Sequence, residues 1–277
     1  MPSVTSKLGI LAGRGSLPKA VMQACNDTLR PYFVLAFEGQ TDPELIVGVP
    51  HKWARLGAAN DIITTLKREG VSELILVGSM KRPPLSSLAP DWRGTKILAK
   101  IGWRLGDDGL FKAVIKELES EGFKVIGIED ILPQMITGKG VLGKTGPTDA
   151  AKEDIKKGIE VLRSLSKMDV GQAVVVQGGM VLGIEAAEGT DDLIKRCQGL
   201  QRPGEGAVLV KMRKLGQESR ADLPAVGPIT VDNAAAAGFS GIAVEANGTL
   251  ILEHDLSKTK ADKAGIFLYG FQPDDLA

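Results

Sequence analysis

The residues that can do chemistry fall into a few short stretches. Asp222 stands directly before Leu223-Pro224 in a polar segment, 217–224, that has no helical period. Proline disfavours helix in what precedes it, so this acid is expected on an extended loop, free to point at a ligand. Glu185, Glu188 and Asp191 lie where an apolar run gives way to a helical one. They are expected to converge at a strand end, where carboxylate oxygens suit a hard cation such as Mg2+. The competing reading makes Thr190 a helix N-cap, with Asp191 and Asp192 complementing the helix dipole. Gly13-Arg14-Gly15-Ser16-Leu17-Pro18 follows the first apolar run and opens a helix, so backbone N–H groups there can face a phosphate. It is only part of a dinucleotide fingerprint, since Pro18 replaces the third glycine, although Glu38 is placed to act as the ribose-binding acid. A plain tight turn, a phosphate loop and a nicotinamide site all remain open on these residues. In Gly78-Ser79-Met80-Lys81-Arg82-Pro83, Arg82 can grip a phosphate bidentately and Lys81 can act as a point charge, or the loop is simply solvated. The two histidines, His51 and His254, are far apart with no metal-ligand spacing, which leaves neither a zinc site nor a His-based triad. Hydrolysis by this chain would rest on carboxylates and a metal.

Parallel strands and helices must position these groups. A helical period, then a glycine, then a short apolar run recurs at Glu69-Gly70, Glu121-Gly122, Ala237-Gly238 and Ala264-Gly265. Glycine just past a helix takes the left-handed C′ conformation cheaply, and the apolar run after it reads as a strand buried on both faces. Strands are expected near 8–11, 32–37, 74–77 and 125–128. Ala173–Gln177 and Val181–Glu185 read as a hairpin around Gly178-Gly179. Helix and strand alternation means α/β. Residues 137–149 contain four glycines and a proline without apolar period, and read as a linker between residues 1–136, Rossmann-like, and residues 150–277, a second α/β domain. Asp149 is expected to cap a helix to about Lys167, with Ile155, Ile159, Leu162 and Leu165 on its apolar stripe. From Trp92 to Leu105, Arg93, Lys96, Lys100 and Arg104 recur at spacings of three and four, a basic face that suits anionic headgroups or simply water. Gly106-Asp107-Asp108 reads as a helix start.

The composition agrees with two domains in 277 residues. Thirty-four basic against 34 acidic residues excludes the positive excess a nucleic-acid wrapper or polybasic membrane protein needs. Cys25 and Cys197 have no knuckle spacing, so a metal finger or disulfide framework is not expected and a reducing compartment suits the chain. Residues 1–7 lack the pattern of an export signal and no run of 18 apolar residues occurs, so a cytoplasmic protein is expected. Aromatics are only 4% of the chain, so any apolar groove would be lined by aliphatic and Met side chains.

Taken together, several segments resemble one family. Gly13–Pro18 resembles its N-terminal glycine loop, Gly78–Pro83 its Gly-x-Val-x-Arg-Pro stretch, and Gly106-Asp107-Asp108 its Gly-Asp-Asp. Asp169-Val170-Gly171-Gln172, Val181–Asp191 and Gln217–Gly227 resemble its C-terminal signatures. The family is the LpxI-type UDP-2,3-diacylglucosamine pyrophosphatases of lipid A biosynthesis, and the likeness runs from about Lys7 to Gly270. It implies two domains holding the substrate between them and a dimer in the cytoplasm, with peripheral contact at the inner membrane. The activity implied is Mg2+-dependent hydrolysis of UDP-2,3-diacylglucosamine, a nucleotide-sugar lipid, to UMP and 2,3-diacylglucosamine 1-phosphate, without nucleic acid as a partner. The catalytic acid of its Asp-Leu-Pro signature falls on Asp222, which would also share the metal with Glu185 and Asp191. Gly13, Gly15 and Ser16 would receive the nucleotide or phosphate through backbone N–H groups. Met80 and Arg82 would contact the substrate from the first domain, and Gln172 and Thr190 from the second. Lys211 and Arg220 would stabilise charge on phosphoryl oxygens. Where the family has Val, Thr and Gly, this chain has Met80, Ala225 and Asn247. The alternatives are an NAD(P)-dependent oxidoreductase and a non-catalytic nucleotide-sugar or lipid-binding protein.

Overall fold

A computed structural model describes residues 6–81, 88–101, 107–216, 218–220 and 223–274, without the side chains of 98, 100, 101, 107 and 108. The chain divides into two compact units. The first runs to Pro133 and takes in a short stretch beginning at Glu218. The second holds the rest from Gln134 onward.

In the first unit the strands are β1 (Leu8–Ala12), β2 (Tyr32–Phe37), β3 (His51–Ala54), β4 (Glu73–Val77) and β5 (Lys124–Val125). They form one sheet in the order β3-β2-β1-β4-β5, every pair parallel. This is the Rossmann arrangement expected from the glycine-punctuated runs. The helices are α1 (Leu17–Asp27), α2 (Ala59–Arg68), α3 (Trp92–Ile101) and α4 (Asp107–Ser120). All five residues of β1 are buried, as a strand sandwiched between helix layers requires. Gly70 and Gly122 both take positive φ, at 67° and 94°, ending their helices as the sequence indicates. The strand expected over 125–128 is cut to two residues. Gly127 N–H turns onto the Asp130 carboxylate at 3.1 Å, and a short 3-10 turn, Ile128–Asp130, follows.

The second unit has β6 (Gly140–Val141), β7 (Ala173–Gln177), β8 (Met180–Ile184), β9 (Val208–Lys211), β10 (Ala225–Val226), β11 (Gly241–Glu245), β12 (Leu250–Ile251) and β13 (Phe267–Phe271). Its main sheet runs β6-β13-β11-β9-β7-β8, with β9, β11 and β13 parallel. Its helices are α5 (Asp149–Ser166), α6 (Thr190–Gln198), α7 (Pro228–Ala236) and α8 (His254–Ala264). The period of two sends Val174, Val176, Val208 and Val210 to the face covered by Ile155, Ile159 and Leu162 of α5. Ala173, Val175 and Leu209 go to the opposite face, against Leu193, Ile194, Val231 and Ala234. Both faces are therefore apolar and covered, which is why these strands read as unbroken hydrophobic runs. Gly178 and Gly179, at φ 56° and 75°, make the primed turn that suits a two-residue hairpin. Their N–H groups donate to the buried Asp154 carboxylate at 2.9 and 2.6 Å.

Two further details of the sequence reading change. The helix cap is Thr148, whose hydroxyl accepts from Ala151 N–H at 3.1 Å, and Asp149 sits inside the first turn. The stretch 137–149 is not a free linker throughout. Val141 and Gly140 pair antiparallel with Tyr269 and Gly270, and Thr137 donates its hydroxyl to Thr249 C=O at 2.7 Å. A glycine-rich edge strand has too little apolar content to be recognised before its partner strand is known.

At the amino ends of the first sheet, Glu73 faces Lys124 across the β4–β5 register. Its carboxylate accepts from Lys124 Nζ at 2.8 Å, Ser6 Oγ at 2.6 Å, and the Arg30 guanidinium. The Lys124 hydrogen bond, then that of Ser6, pushes the Glu73 pKa down to about 2 from an ordinary 4.5. A carboxyl depressed on folding stabilises the fold above its unfolded pKa, and this contribution fades as pH falls from 4.5 toward 2. Glu73→Gln is expected to cost about 2 kcal/mol at pH 7. In urea unfolding the gap to the parent should close on acidification, and a gap equally wide at pH 2.5 would contradict this account.

Candidate functional site

In the first unit the strand order reverses between β1 and β4, and open parallel sheets bind ligands at the carboxyl ends flanking such a reversal. The loops that leave these two strands begin as a continuation of the ladder. Gly13 N–H donates to Val77 C=O at 2.7 Å, and Arg14 and Ser79 exchange N–H to C=O bonds at 2.9 and 3.1 Å. A Cβ on Gly13 would stand 2.6 Å from the Ser79 carbonyl oxygen, so glycine permits the close approach. This corrects one expectation, because the Gly13 amide is committed to Val77 and is not offered to a phosphate. Gly15 and Ser16 are exposed, and their N–H groups have no acceptor among the described residues. Ser16 occupies the N-cap of α1 without a side-chain capping bond. Met80 is half-buried and packs on the core of the unit, which gives its side chain a structural partner. Arg82 lies outside the described residues.

Sequence reasoning missed two residues at this crevice. Arg14 lies across the β2 turn, donating Nε to Gln40 C=O at 3.2 Å and Nη2 to Gly39 C=O at 2.5 Å. Gln40, only 8% exposed, pairs its side-chain amide with the backbone of Lys81. Its Oε1 accepts from Lys81 N–H at 2.8 Å and its Nε2 donates to Lys81 C=O at 3.0 Å. Next to it, the Thr41 hydroxyl donates to Ala12 C=O at the end of β1 and accepts from Phe37 N–H at 2.7 Å. The only sequence signal was a Gly39-Gln40-Thr41 turn closing an apolar strand.

In the second unit β7 is antiparallel to both β8 and β9, so the end of β8, the end of β9 and the start of β7 share one edge. There the chain assembles four of the expected residues. Lys211 Nζ donates to Thr190 Oγ1 at 2.7 Å, the Thr190 hydroxyl donates to Glu185 Oε1 at 2.6 Å, and Glu185 Oε2 accepts from Gln172 N–H at 2.9 Å. Lys211 and Glu185 are 7% and 9% exposed. The hydroxyl thus links a buried ammonium to a buried carboxylate, and both charges keep partners after losing water. Thr190 is available for this because Gly189, at φ 84°, occupies the N-cap of α6; the capping alternative for Thr190 is not adopted. Lys211 also donates to Ala225 C=O at 3.1 Å, so the backbone rather than a hydroxyl at position 225 completes this corner. On the same edge, Arg213 grips the buried Glu245 through its N–H and Nε, both at 3.0 Å, a pair that an acid closing a buried apolar run could have signalled.

The expected three-acid cluster does not form. Glu185 has both oxygens engaged. Glu188 pairs with Arg196 at 2.6 Å and with Ala186 N–H. Asp191 accepts from the Thr230 hydroxyl at 3.1 Å. Neighbours in sequence took different partners because the turn into α6 fans them apart. Among the described residues no three His, Cys, Asp or Glu side chains are grouped to hold a metal ion; the Mg2+ set expected from the sequence joins Glu185 and Asp191 to Asp222. Asp222 lies outside the described residues. Arg220 is held bidentately by Glu218 at 2.8 and 2.9 Å and by Glu119 of α4 at 2.5 Å. The Arg220 bond keeps the Glu218 carboxyl below its usual range, and two carboxylates temper the guanidinium charge proposed for phosphoryl oxygens.

On α3, Arg93 turns onto Glu121 and lies 5.2 Å over the Trp92 ring. That removes one charge from the expected basic face, while Lys96 and Trp92 stay exposed. Arg104 and Gly106 lie outside the described residues, and Asp107 and Asp108 begin α4 with side chains not described.

Thr190→Val keeps the shape and removes the bridging hydroxyl, leaving Lys211 and Glu185 each short of a partner. Urea unfolding should show a loss of about 1–3 kcal/mol; unchanged stability would mean the chain of bonds is not made.

Against known proteins, the LpxI N-terminal domain model matches residues 7–135 and the LpxI C-terminal domain model matches residues 138–269. A curated protein of Caulobacter vibrioides, named UDP-2,3-diacylglucosamine pyrophosphatase LpxI, is 35% identical, over 97% of this chain and 99% of its own. Among solved structures, gox2253 is 13% identical, with 97% of this chain and 77% of that chain covered at a TM-score of 0.33. N5-carboxyaminoimidazole synthase from Aspergillus clavatus is 12% identical, with 72% and 45% covered at 0.23. Those two likenesses are too slight to bear on the fold. Both domain models, laid end to end over nearly the whole sequence, make this chain a member of the LpxI family.

Proposed function

We propose that the protein hydrolyses the pyrophosphate bond of UDP-2,3-diacylglucosamine, consuming one water and releasing UMP and 2,3-diacylglucosamine 1-phosphate, as a step of lipid A synthesis. The observation that carries this reading is the 35% identity to a relative of that name across 97% of the chain. The geometry supports it in two places. The carboxyl edge of the first sheet presents the unengaged amides of Gly15 and Ser16 beside Arg14 and Lys81, the donors and charges a nucleoside diphosphate needs. The carboxyl edge of the second sheet presents a buried ammonium, Lys211, already desolvated and oriented by Thr190, so its attraction for a phosphoryl oxygen is not spread into water.

In this reading Asp222 is the catalytic acid, carried over from the Asp-Leu-Pro signature, and Arg82 contacts a phosphate. Gln172, whose side-chain amide has no hydrogen-bond partner among the described residues, contributes a polar donor. The Mg2+ requirement is part of the proposal, and Asp222, with Glu185, Asp191 and substrate oxygens, would hold the ion. When bound, the ion would neutralise the diphosphate charge. A homodimer and a cytoplasmic site of action with peripheral contact at the inner membrane belong to the same reading. No helix among the described residues is long and apolar enough to cross a membrane.

Incubation of the protein with UDP-2,3-diacylglucosamine and Mg2+ should release UMP. Asp222→Ala should slow turnover by roughly 10²–10⁴-fold while UMP still binds. Chelation should abolish the reaction and Mg2+ restore it. Absence of UMP would overturn the reaction, a fully active Asp222→Ala protein the assignment of the acid, and activity in chelator the ion.

A further inference from the structure

We propose that Gln40 is a positioning residue for the substrate's diphosphate, acting through Arg14 and the Lys81 backbone to hold the two turns of the first unit's crevice at a fixed spacing. The identity of the ligand rests on the reaction proposed above; the arrangement of residues does not. A primary amide that both accepts from the N–H and donates to the C=O of one residue does what a neighbouring strand would do. Gln40 supplies such a pairing to Lys81 at 2.8 and 3.0 Å, beyond the end of β4 at Val77. The same residue's carbonyl takes the Arg14 Nε at 3.2 Å, and Arg14 is bound through its backbone to Ser79. Residues 13–16, 39–41 and 78–81 are thereby closed into one ring of hydrogen bonds with Gln40 at its centre. Being 8% exposed, Gln40 itself stays behind the crevice surface.

The second observation concerns charge. Arg30, Arg93, Arg196, Arg213 and Arg220 each meet a carboxylate. Among the described residues the Arg14 guanidinium meets only the carbonyls of Gly39 and Gln40. Carbonyl dipoles orient a guanidinium without cancelling its charge, and two of its five N–H groups are used in this way. Lys81, exposed on the other turn, has no carboxylate partner among the described residues either. An oriented guanidinium and an exposed ammonium, neither with a carboxylate partner among the described residues, stand on turns held at set spacing and suit a doubly or triply charged phosphate, and loosening the ring would blur that match without touching the reacting atoms.

Full-length Gln40→Ala and Arg14→Met proteins test this with three measurements: UMP binding by calorimetry, steady-state hydrolysis and thermal unfolding. The expected result for Gln40→Ala is a rise of roughly tenfold or more in the UMP Kd and in KM, a smaller change in kcat, and an unfolding transition near that of the parent. Arg14→Lys, which keeps the charge but loses the fork, should fall between the parent and Arg14→Met. A Gln40→Ala protein with parental Kd and KM overturns the inference. If that variant does not fold, parental UMP affinity in Arg14→Met overturns it instead. A parent that binds UMP through Gln40 and Arg14 but hydrolyses nothing sinks the reaction and leaves the inference standing; a parent that does neither sinks both.

Discussion

Strands covered by helices on both faces cannot carry polar side chains along their length, because each would lose water without gaining a partner. In the second unit, Ala173, Val174, Val175 and Val176 alternate between two sealed cores and are all fully buried. Charge and hydrogen-bonding capacity are consequently pushed to the strand ends, and strand pairing, parallel and antiparallel, gathers those ends on shared edges. Lys211 is the last residue of β9, Glu185 the first after β8, Glu245 the last of β11 and Gln172 the one before β7. The chemistry of this chain is concentrated by that single constraint.

The two edges of the first sheet are used differently. At the amino edge, Glu73 is saturated by Lys124, Ser6 and Arg30, with opposite charges satisfied inside the protein. At the carboxyl edge beside the strand reversal, Arg14 and Lys81 keep their charge and Gly15 and Ser16 keep their donors. A protein can leave such groups unmatched only where water or a ligand reaches them. Among the described residues the two edges are thus satisfied unevenly, and the proposed ligand side is the one left open.

Much of this was legible in the order of residues. The glycine stops, the buried runs, the hairpin at Gly178-Gly179 and the helix from 149 follow from local propensity, which operates over a few residues. Asn247 is a similar case: it takes φ 59°, which Asn tolerates better than most residues. The acids were not legible in this way. Glu185, Glu188 and Asp191 look like one cluster at spacings of three, yet each is claimed by a different donor, because where a side chain points depends on the turn that carries it. Gln40 was invisible for the converse reason: its partners, Arg14 and Lys81, are 26 and 41 positions away in the chain.

By itself, then, the order of amino acids determined the α/β class, the alternation of helix and strand, the turn chemistry and, through its signature segments, the family. These rest on short-range sterics and on hydrophobic periodicity. Only the tertiary structure decided which carboxylates are neutralised and which cations are left exposed, that Gly13 gives its amide to Val77, and that Thr190 bridges Lys211 to Glu185. Partner choice for a polar group is a competition among everything the fold brings within about 3 Å, and that neighbourhood exists only once the strands have paired.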